Sequence, residues 1–339
     1  MQRIIADSAA SQTRTVDMQP LCGLFSLEVI CQVAFNQDID SESPRTGLTY
    51  LRAMGHVASL QPISNMFPIL SKWKLGESLP GLIGQAYAQR RIWVDITREL
   101  YRAFMNNALT VQTEKFLAHP LIHKEDEYLG RKLTEAEAME EFMGLAFAGS
   151  GTTATTILFI LYHLSRPENR AMQLRLREEL CSNSDTTDLP YLSAVIKEAM
   201  RLNPALIGSL PRVLTTAIEA CQGKTKLIFP PGTLISMQNY IHHRDPSVYI
   251  QPHTFNPDRW DGVPQTSAME KAFTPYSLGP RNCIGQNLAN LEIRIAISHL
   301  FRHLDFRLNP EMKESEMEMQ DHVVALTRGR RLLLDVAKL

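Results

Sequence analysis

The chain has 339 residues, of which 44% are hydrophobic and 21% are charged, and its formal net charge at pH 7 is -1. This composition is that of a globular protein with a sizeable core, and the near-zero charge argues against a nucleic-acid-binding protein. The five cysteines include no C-x-x-C pair, which favours reduced thiols over a disulfide framework.

The N-terminal segment MQRIIADSAASQTRT has no apolar stretch of signal-peptide length. It therefore predicts neither a secretory signal nor a membrane anchor, and a cytoplasmic location is expected for the chain as given. The uncharged stretch 142–165 is long enough to span a bilayer. Polar residues at its centre, from Gly149 to Thr153, favour a buried core helix instead.

Most of the chain has helical patterns. A capping box at Thr134 and Glu137 predicts a long helix that starts near Glu135 and runs to Ser165. A second amphipathic helix is predicted in the segment 191–204, where Pro204 ends it. A third follows Ile284, and four residues are expected to form its apolar face: Leu288, Leu291, Ile295 and Leu300.

The segment between the second and third helices lacks a helical pattern. Short β-branched runs separated by glycine and by the sequence PPG predict small strands and a hairpin within 210–238. The segment 242–286 is rich in proline, glycine and asparagine, and so long an irregular stretch is usually functional. These patterns predict a mainly α fold with a small β region, and the length allows either two average domains or one large one.

Within the irregular segment, the sequence PYSLGPRNCIGQ places Cys283 in a loop at the start of the third helix. Gly279 and Gly285 would permit tight turns and the close approach of a flat ligand. A helix N-terminus favours a thiolate, and Arg281 could pair with an acidic group of that ligand. The other four cysteines are expected to be small buried hydrophobic residues.

This loop resembles the haem-thiolate signature F-x-x-G-x-R-x-C-x-G of the cytochromes P-450. Tyr276, Gly279, Arg281, Cys283 and Gly285 stand at the matching positions, with Tyr276 in place of the phenylalanine. The resemblance implies the cytochrome P-450 fold and iron protoporphyrin IX as cofactor, with Cys283 as its axial metal ligand and the other four residues in its binding loop. Zinc and catalytic-thiol sites would need partner ligands that the sequence does not place here.

Other motifs resemble the same family. Glu198 and Arg201 in KEAMR, followed by Arg259 in FNPDRW, resemble the E-x-x-R helix and its later arginine. The resemblance implies an ion network that braces the cysteine loop. It also implies that Arg212 in GSLPR, like Arg281, pairs with a haem propionate.

The centre of the long helix, FAGSGTTATT, contains glycines that each cost roughly 1 kcal/mol against alanine. It resembles the oxygen-binding motif A/G-G-x-D/E-T-T. The resemblance implies that Ala148 and Gly149 lie against the macrocycle, and that the Thr152 hydroxyl hydrogen-bonds either within the turn or toward bound dioxygen. Gly151 stands where the family has an acid associated with proton delivery, so Ser150, Thr152 and water are candidates for that task.

The resemblance implies a haem-thiolate monooxygenase of eukaryotic, fungal type that inserts one oxygen atom from dioxygen into a lipophilic small molecule. NADPH-cytochrome P-450 reductase would supply the electrons, and fungal secondary-metabolite biosynthesis is the expected setting. Two alternatives stay open. One is a truncated, catalytically inactive relic. The other is a haem-thiolate isomerase that needs no external electrons, which Gly151 favours and Thr152 opposes.

The resemblance implies that residues 1–339 form a single domain that corresponds to roughly the C-terminal two thirds of the family fold, so an N-terminally incomplete fold is expected. In a longer form with a membrane anchor, the protein would lie at the cytosolic face of the endoplasmic reticulum. The segment 60–84 resembles the family's lipid-dipping channel entrance, which implies peripheral membrane contact. The same interrupted amphipathic pattern is equally expected of a loop at the edge of the core. Strands near Val213 and Leu234 are expected to have open edges.

Overall fold

The computed structural model describes residues 14–39, 44–67, 69, 75–107, 113–183, 189–222, 225–262 and 266–339. Most of the N-terminal segment considered above lies outside the described residues. So do residue 68 and residues 70–74 of the predicted membrane-contact segment. Statements about what the fold lacks refer to the described residues.

Helices make up most of the described chain, as the sequence predicts. They are α1 (Met18–Phe35), α2 (Pro44–Met66), α3 (Gly81–Asn107), α4 (Ala118–His123), α5 (Glu135–Ser165), α6 (Arg170–Ser182), α7 (Pro190–Leu202), α8 (Asn239–His242), α9 (Ser267–Ala272) and α10 (Gln286–His303). The predicted bounds of the long helix are confirmed by α5, and the predicted irregular segment contains only short helices in its described part.

The start of α5 is fixed by the predicted capping box. The hydroxyl of Thr134 accepts a hydrogen bond from the Glu137 N–H, and the Glu137 carboxylate accepts one from the Thr134 N–H at 2.8 Å. Helices α1, α3, α7 and α10 pack against α5, whose C-terminal half is buried. α5 is therefore the central core helix, as predicted.

Two helices, α1 and α5, are long and apolar enough to cross a membrane. Half of the apolar window of α1 and 61% of that of α5 are buried inside the protein. Core helices of soluble folds pass the same test, so length and composition are weak evidence for a span. From the sequence, a stretch long enough to span a membrane was identified within α5 but not within α1.

Two large apolar clusters, accompanied by two smaller ones, form most of the core of the described chain. One joins the C-terminal half of α5 to α7 and α10. The other joins the N-terminal half of α5 to α1, α2 and α3, and within it the rings of Phe35 and Phe142 stack at 4.5 Å between centroids. Full burial of such a side chain contributes about 1.5–3 kcal/mol, so these contacts fix the position of α5 between its neighbours.

The strands form small antiparallel sheets. They are β1 (Arg14–Asp17), β2 (Arg212–Val213), β3 (Ile218–Gln222), β4 (Thr225–Phe229), β5 (Leu234–Ile235), β6 (Leu304–Leu308), β7 (Met319–His322), β8 (Val324–Thr327) and β9 (Leu333–Lys338). One sheet has the order β1-β9-β6, and the pairs β2-β5, β3-β4 and β7-β8 form separate ladders. Val213 and Leu234 are exposed in a ladder of two described strands, which agrees with the expected open edges.

The predicted apolar face of α10 is wrong in part. Leu300 is buried, but Leu291 and Ile295 are 54% and 49% exposed. Leu300 follows Ile295 by five residues, which turns it about 140° around the helix axis, so one face cannot hold both. The face that packs on the core is instead formed by Ile293, Ala296, Ile297 and Leu300.

Candidate functional site

The cysteine loop is built from consecutive tight turns. The Ser277 N–H donates to the Thr274 carbonyl at 3.0 Å, and the Cys283 N–H donates to the Tyr276 carbonyl at 2.9 Å. Gly279 has φ +73°, a left-handed conformation that a residue without Cβ adopts at little cost. These bonds hold Cys283 by its backbone, while its side chain is exposed.

Cys283 lies beside the N-terminus of α10, as predicted. Gly285 caps that helix, and a Cβ added to it would lie 4.0 Å from the Cys283 sulfur. The N-terminus of α10 carries the positive end of the helix dipole. The Tyr276 hydroxyl donates to Asn290 on α10 at 2.9 Å, which fastens the loop to the helix. Burial, and the nearby Cys283, raise the pKa of Tyr276, so its hydroxyl stays protonated.

The other cysteines differ from Cys283. Cys22 and Cys31 are buried, and burial raises the pKa of each thiol to about 12, so both are inert. Cys181 and Cys221 are exposed, which corrects the expectation that all four are buried. Cys181 ends α6 and Cys221 lies in β3, so neither stands in a loop that precedes a helix.

The surroundings of Cys283 suit a flat apolar ligand with acidic groups. Leu278 and Ile284 on either side of it are 69% and 98% exposed. Arg281 and Arg212 are exposed, and neither has a carboxylate partner in the described chain. Haem has an apolar macrocycle and two propionates, so this combination of thiol, apolar side chains and free guanidinium groups fits it.

The oxygen-motif residues of α5 divide between two faces. Ala148 is exposed and Thr152 is half-buried one turn later, where its hydroxyl donates to the Ala148 carbonyl at 2.7 Å. Ser150 is fully buried, with its hydroxyl 3.5 Å from the Phe147 carbonyl. Ser150 and Gly151 both line a cleft beside the helix, whereas Ala148 and Thr152 do not. The structure therefore separates Ala148 and Thr152 from Ser150 and Gly151.

Gly149 faces a neighbouring helix. A Cβ added to it would lie 2.7 Å from Cγ1 of Ile30 on α1, closer than real Cβ contacts. The Ser26 hydroxyl of α1 also donates to the Gly149 carbonyl at 3.0 Å. The prediction that Gly149 lies against the macrocycle is therefore replaced by a packing role: the glycine allows α1 and α5 to approach closely.

This packing makes Gly149→Ala an informative change. Alanine improves helix propensity by roughly 1 kcal/mol, but overpacking costs about 1–3 kcal/mol, so we expect a net loss of unfolding free energy. Gly144→Ala on the same helix is the matched control, because a Cβ there meets nothing within 4 Å. Urea unfolding should show Gly144→Ala neutral or stabilising, and Ile30→Ala should relieve the effect of Gly149→Ala. Equal behaviour of the two alanine variants would contradict the packing role.

The predicted ion network is present and is larger than predicted. Glu198 and Arg201 are both fully buried on α7. The Glu198 carboxylate accepts hydrogen bonds from Arg201 at 2.8 and 2.9 Å, Arg259 at 3.0 Å, the indole N–H of Trp260 at 2.8 Å and the Asn256 N–H at 2.9 Å. The sequence motifs had not indicated the contributions of Trp260 and Asn256.

The network reaches the cysteine loop through His243. Arg201 donates to the His243 carbonyl at 2.9 Å, and the His243 ring accepts from the Thr274 N–H at 2.9 Å. Burial lowers the pKa of His243 to about 3, so the ring is neutral and its Nε2 can accept. Thr274 begins the turn that leads to Cys283. The bracing that the sequence predicted is therefore indirect, through a histidine that no motif had indicated.

A cleft of about 790 Å³ lies beside the centre of α5. Its walls come from α1, α2, α5 and the β7–β8 hairpin, and Leu51, Met54, Phe147, Leu158 and Val324 give it apolar surfaces. The Thr155 hydroxyl donates to the Ala325 carbonyl at 3.1 Å and fastens the hairpin to α5. A cleft of this size and polarity can hold a lipophilic small molecule.

Comparison with known proteins identifies the family. Residues 1–334 match the family model for Cytochrome P450. The chain is 37% identical over 198 residues to Cytochrome P450 monooxygenase hkm5 of Aspergillus hancockii, covering 55% of this chain and 37% of that protein. It is 28% identical over 332 residues to the mitochondrial sterol 26-hydroxylase of Oryctolagus cuniculus, covering 90% of this chain and 58% of that protein.

A solved structure shows the same fold. The structure described as retinoic acid bound cyanobacterial CYP120A1 superposes on all of this chain and on 72% of its own, with a TM-score of 0.76 and 20% sequence identity. The chain spans 37% and 58% of the lengths of the two curated relatives named above. The predicted family and its mainly helical fold are confirmed. The chain belongs to the cytochrome P450 family, whose members bind iron protoporphyrin IX through a cysteine thiolate.

Proposed function

We propose that the protein is a haem-thiolate monooxygenase that inserts one oxygen atom from dioxygen into a lipophilic small molecule. The observation that carries this proposal is the exposed thiol of Cys283, held by backbone bonds at the N-terminus of α10 in a chain of this family. NADPH-cytochrome P-450 reductase is the proposed electron donor, and the similarity to a fungal monooxygenase supports a substrate of fungal secondary metabolism.

In this proposal, each motif residue of the cysteine loop has a role in binding the haem. Cys283 would hold the haem iron, Arg281 and Arg212 would pair with the propionates, and Gly279 and Gly285 would allow the backbone to approach the macrocycle. Tyr276 fixes the loop to α10 and would lie beneath the haem. Ala148, a small exposed residue of α5, would contact the opposite face of the haem. When bound, the haem supplies oxygen activation, which the thiolate assists by donating electron density.

The α5 residues act on the oxygen side. Thr152 lies on the same open face as Ala148, and its hydroxyl, oriented by the Ala148 carbonyl, can hydrogen-bond a polar ligand atom there. Ser150 is buried and faces the cleft, so it does not share that face. Gly151 has no titratable group, and a Cβ at its position would contact Val324 at 3.5 Å, on the cleft side. Thr152 and solvent are thus the proposed proton-handling groups.

The apolar cleft supports a terpenoid, polyketide or fatty-acid substrate. A haem-thiolate isomerase that rearranges an oxygenated substrate is the second candidate. Gly151 favours it, because a rearrangement has no need of the proton relay that the acid at this position serves in the family. Thr152 is retained on the open face and favours the monooxygenase.

Oxygen-isotope labelling tests the proposal. The haem-loaded protein is supplied with NADPH, a cytochrome P-450 reductase and either lauric acid or farnesol under ¹⁸O₂. The product should contain one labelled oxygen atom, and its formation should stop when NADPH or the reductase is omitted. A product without label, or one formed without NADPH, would favour the isomerase. Failure of the unmutated protein to bind haem would favour the inactive relic.

A further inference from the structure

The cleft beside α5 is apolar inside and basic at its mouth. The buried part of its lining includes Ala154, Leu158 and Val324, whereas Arg52 of α2 and Arg330 of the connection between β8 and β9 are exposed. An arginine can rest its methylene stem on an apolar surface and keep its guanidinium in water. The two arginines therefore bring positive charge to the entrance of an apolar cavity.

Arg330 has no carboxylate partner in the described chain. The two other arginines of the same connection are each paired with an acid: Arg328 with Glu318 at 2.9 Å, and Arg331 with Glu316 at 2.7 Å. Arg330 instead donates to Nε2 of His322, which also lines the cleft, at 3.0 Å. Burial, together with the Arg330 charge, lowers the pKa of His322, so its ring is a neutral acceptor. The charge of Arg330 is therefore left without a counter-charge.

The acids near the mouth are engaged elsewhere. Asp17 is the one carboxylate in the described lining of the cleft, and it accepts the Gln19 N–H at 3.1 Å and the Leu332 N–H at 2.9 Å. Asp321 of β7 does not line the cleft, and its carboxylate accepts the Val323 N–H at 3.1 Å. Two arginines thus face one carboxylate that already binds backbone donors. An excess of positive charge in a cleft attracts an anionic ligand group.

The basic residues come from two elements that pack together. Strand β7, which carries His322, packs against α2, which carries Arg52. His56 lies one turn after Arg52, and its Nδ1–H donates to the Arg52 carbonyl at 2.8 Å. His56 also lines the cleft. A ligand group at the mouth is therefore within reach of cationic and imidazole groups from two of the walls.

The backbone of Arg330 is in a conformation that suits glycine better. Its φ is +53°, in the left-handed region. The neighbouring Gly329 is needed for space, because a Cβ there would lie 2.5 Å from Cβ of Glu316. Strained conformations of this kind cluster at binding sites, where the side chain has a function. The arginine at position 330 is therefore a candidate for ligand binding.

The α5 wall of the cleft adds no charge that would oppose an anion. Gly151 lines the cleft, and a Cβ at its position would be in ordinary contact with Val324 at 3.5 Å. A side chain can therefore start from this position without a clash. A carboxylate here would repel an anionic ligand in the same cleft, and glycine avoids that repulsion.

We propose that the cleft binds a lipophilic carboxylic acid, with its carboxylate held at the mouth by Arg330 and Arg52 and its hydrocarbon chain against the apolar walls. Guanidinium groups form strong, charge-assisted hydrogen bonds with carboxylates. This inference rests on the proposed function, since the acid would be the substrate. It narrows the substrate class from lipophilic molecules in general to those that carry a carboxylate.

Isothermal titration calorimetry of the haem-loaded protein with decanoate and with 1-decanol tests the proposal. The two ligands have chains of the same length, so the difference in their affinities isolates the carboxylate. At low ionic strength, decanoate should bind roughly ten-fold more tightly than 1-decanol, and added salt should reduce this preference. Equal affinities for the two ligands, or no binding of decanoate, would overturn the proposal.

Variants of the two arginines assign the preference to the mouth of the cleft. Arg330→Gln and Arg52→Gln should each reduce the preference for decanoate several-fold and leave the affinity for 1-decanol unchanged. Arg330→Gly should also reduce it, while its stability in urea is unchanged or higher, because glycine relieves the left-handed conformation. Arg328→Gln is the matched control and should keep the full preference. A full preference in both Arg330 variants, or an equal loss in Arg328→Gln, would contradict the assignment.

A pair of variants at position 151 tests the effect of charge inside the cleft. Gly151→Asp and Gly151→Asn introduce side chains of similar size, and only the first is an anion. Decanoate should bind several-fold more weakly to Gly151→Asp than to Gly151→Asn, and 1-decanol should bind both equally. Equal decanoate affinities would place the carboxylate outside this cleft. The titrations need neither NADPH nor dioxygen, so a failure of oxygen insertion would count against the proposed function alone.

Discussion

Replacing Glu198 with alanine should lower the free energy of unfolding by about 3–5 kcal/mol, because it leaves a buried charge without its partner. Arg201 is fully buried, and in the variant its guanidinium would keep only backbone carbonyl acceptors. The side-chain donors of Arg259 and Trp260 and the N–H of Asn256 would lose the same carboxylate. Urea unfolding at pH 7 measures this loss, and a fall in haem retention should accompany it, since the network braces the cysteine loop.

The matched control is Glu219→Ala. Glu219 pairs with Lys226 across the β3–β4 hairpin at 2.8 Å, but both side chains are at least half exposed. Solvent-exposed pairs of this kind contribute about 0–1 kcal/mol. Comparable small losses in the two variants would show that the Glu198 network is not needed for stability. Loss of stability with unchanged haem retention would show that it does not brace the loop.

The features that the sequence predicted correctly depend on residues that lie close together in the chain. The capping box at Thr134 and Glu137 acts within one helical turn, so the start of α5 was predictable without knowledge of any other element. The turns around Cys283 depend on neighbouring residues in the same way, and Gly279 indeed adopts a left-handed conformation. The local conformation of the stretch from Tyr276 to Gly285 could therefore be predicted from its own residues, and its role in binding haem stays a prediction.

The features that the sequence did not predict depend on contacts between segments that lie far apart in the chain. Gly149 belongs to a motif, but the residue that it faces, Ile30, lies far away in the sequence, and only the packing of α1 on α5 brings them together. His243 and Trp260 enter the site through irregular segments whose paths no periodicity specifies. Glu292 of α10 is buried, whereas a charged residue on an amphipathic helix is expected at the surface unless the partner helices are known.

The helix α10 was predicted correctly as an element, but its buried face was predicted wrongly in part. The apolar residues Leu291 and Ile295 of α10 have helical spacing, but both are exposed. Periodicity reports which residues share a face, and it does not report what covers that face. The exposed apolar residues next to Cys283 instead support the proposed contact with a macrocycle.

Replacing Cys283 with alanine should abolish thiolate ligation completely, because the thiol is the proposed axial ligand and its loop offers no other sulfur. Cys181→Ala is the matched control, since Cys181 is also an exposed thiol but ends α6. The ferric optical spectrum and the haem-to-protein ratio measure the effect. Cys283→Ala should lose the thiolate-ligated Soret band and much of its haem, and Cys181→Ala should keep both. An unchanged spectrum in Cys283→Ala would assign the ligand elsewhere.

The central claim is that this chain carries a haem-thiolate site built on Cys283. Its most direct test is the optical spectrum of the purified, unmutated protein, reduced and exposed to carbon monoxide. The account predicts the red-shifted Soret band that marks a thiolate opposite carbon monoxide. A spectrum without haem absorption, or with the Soret band of a nitrogen-ligated haem, would contradict it.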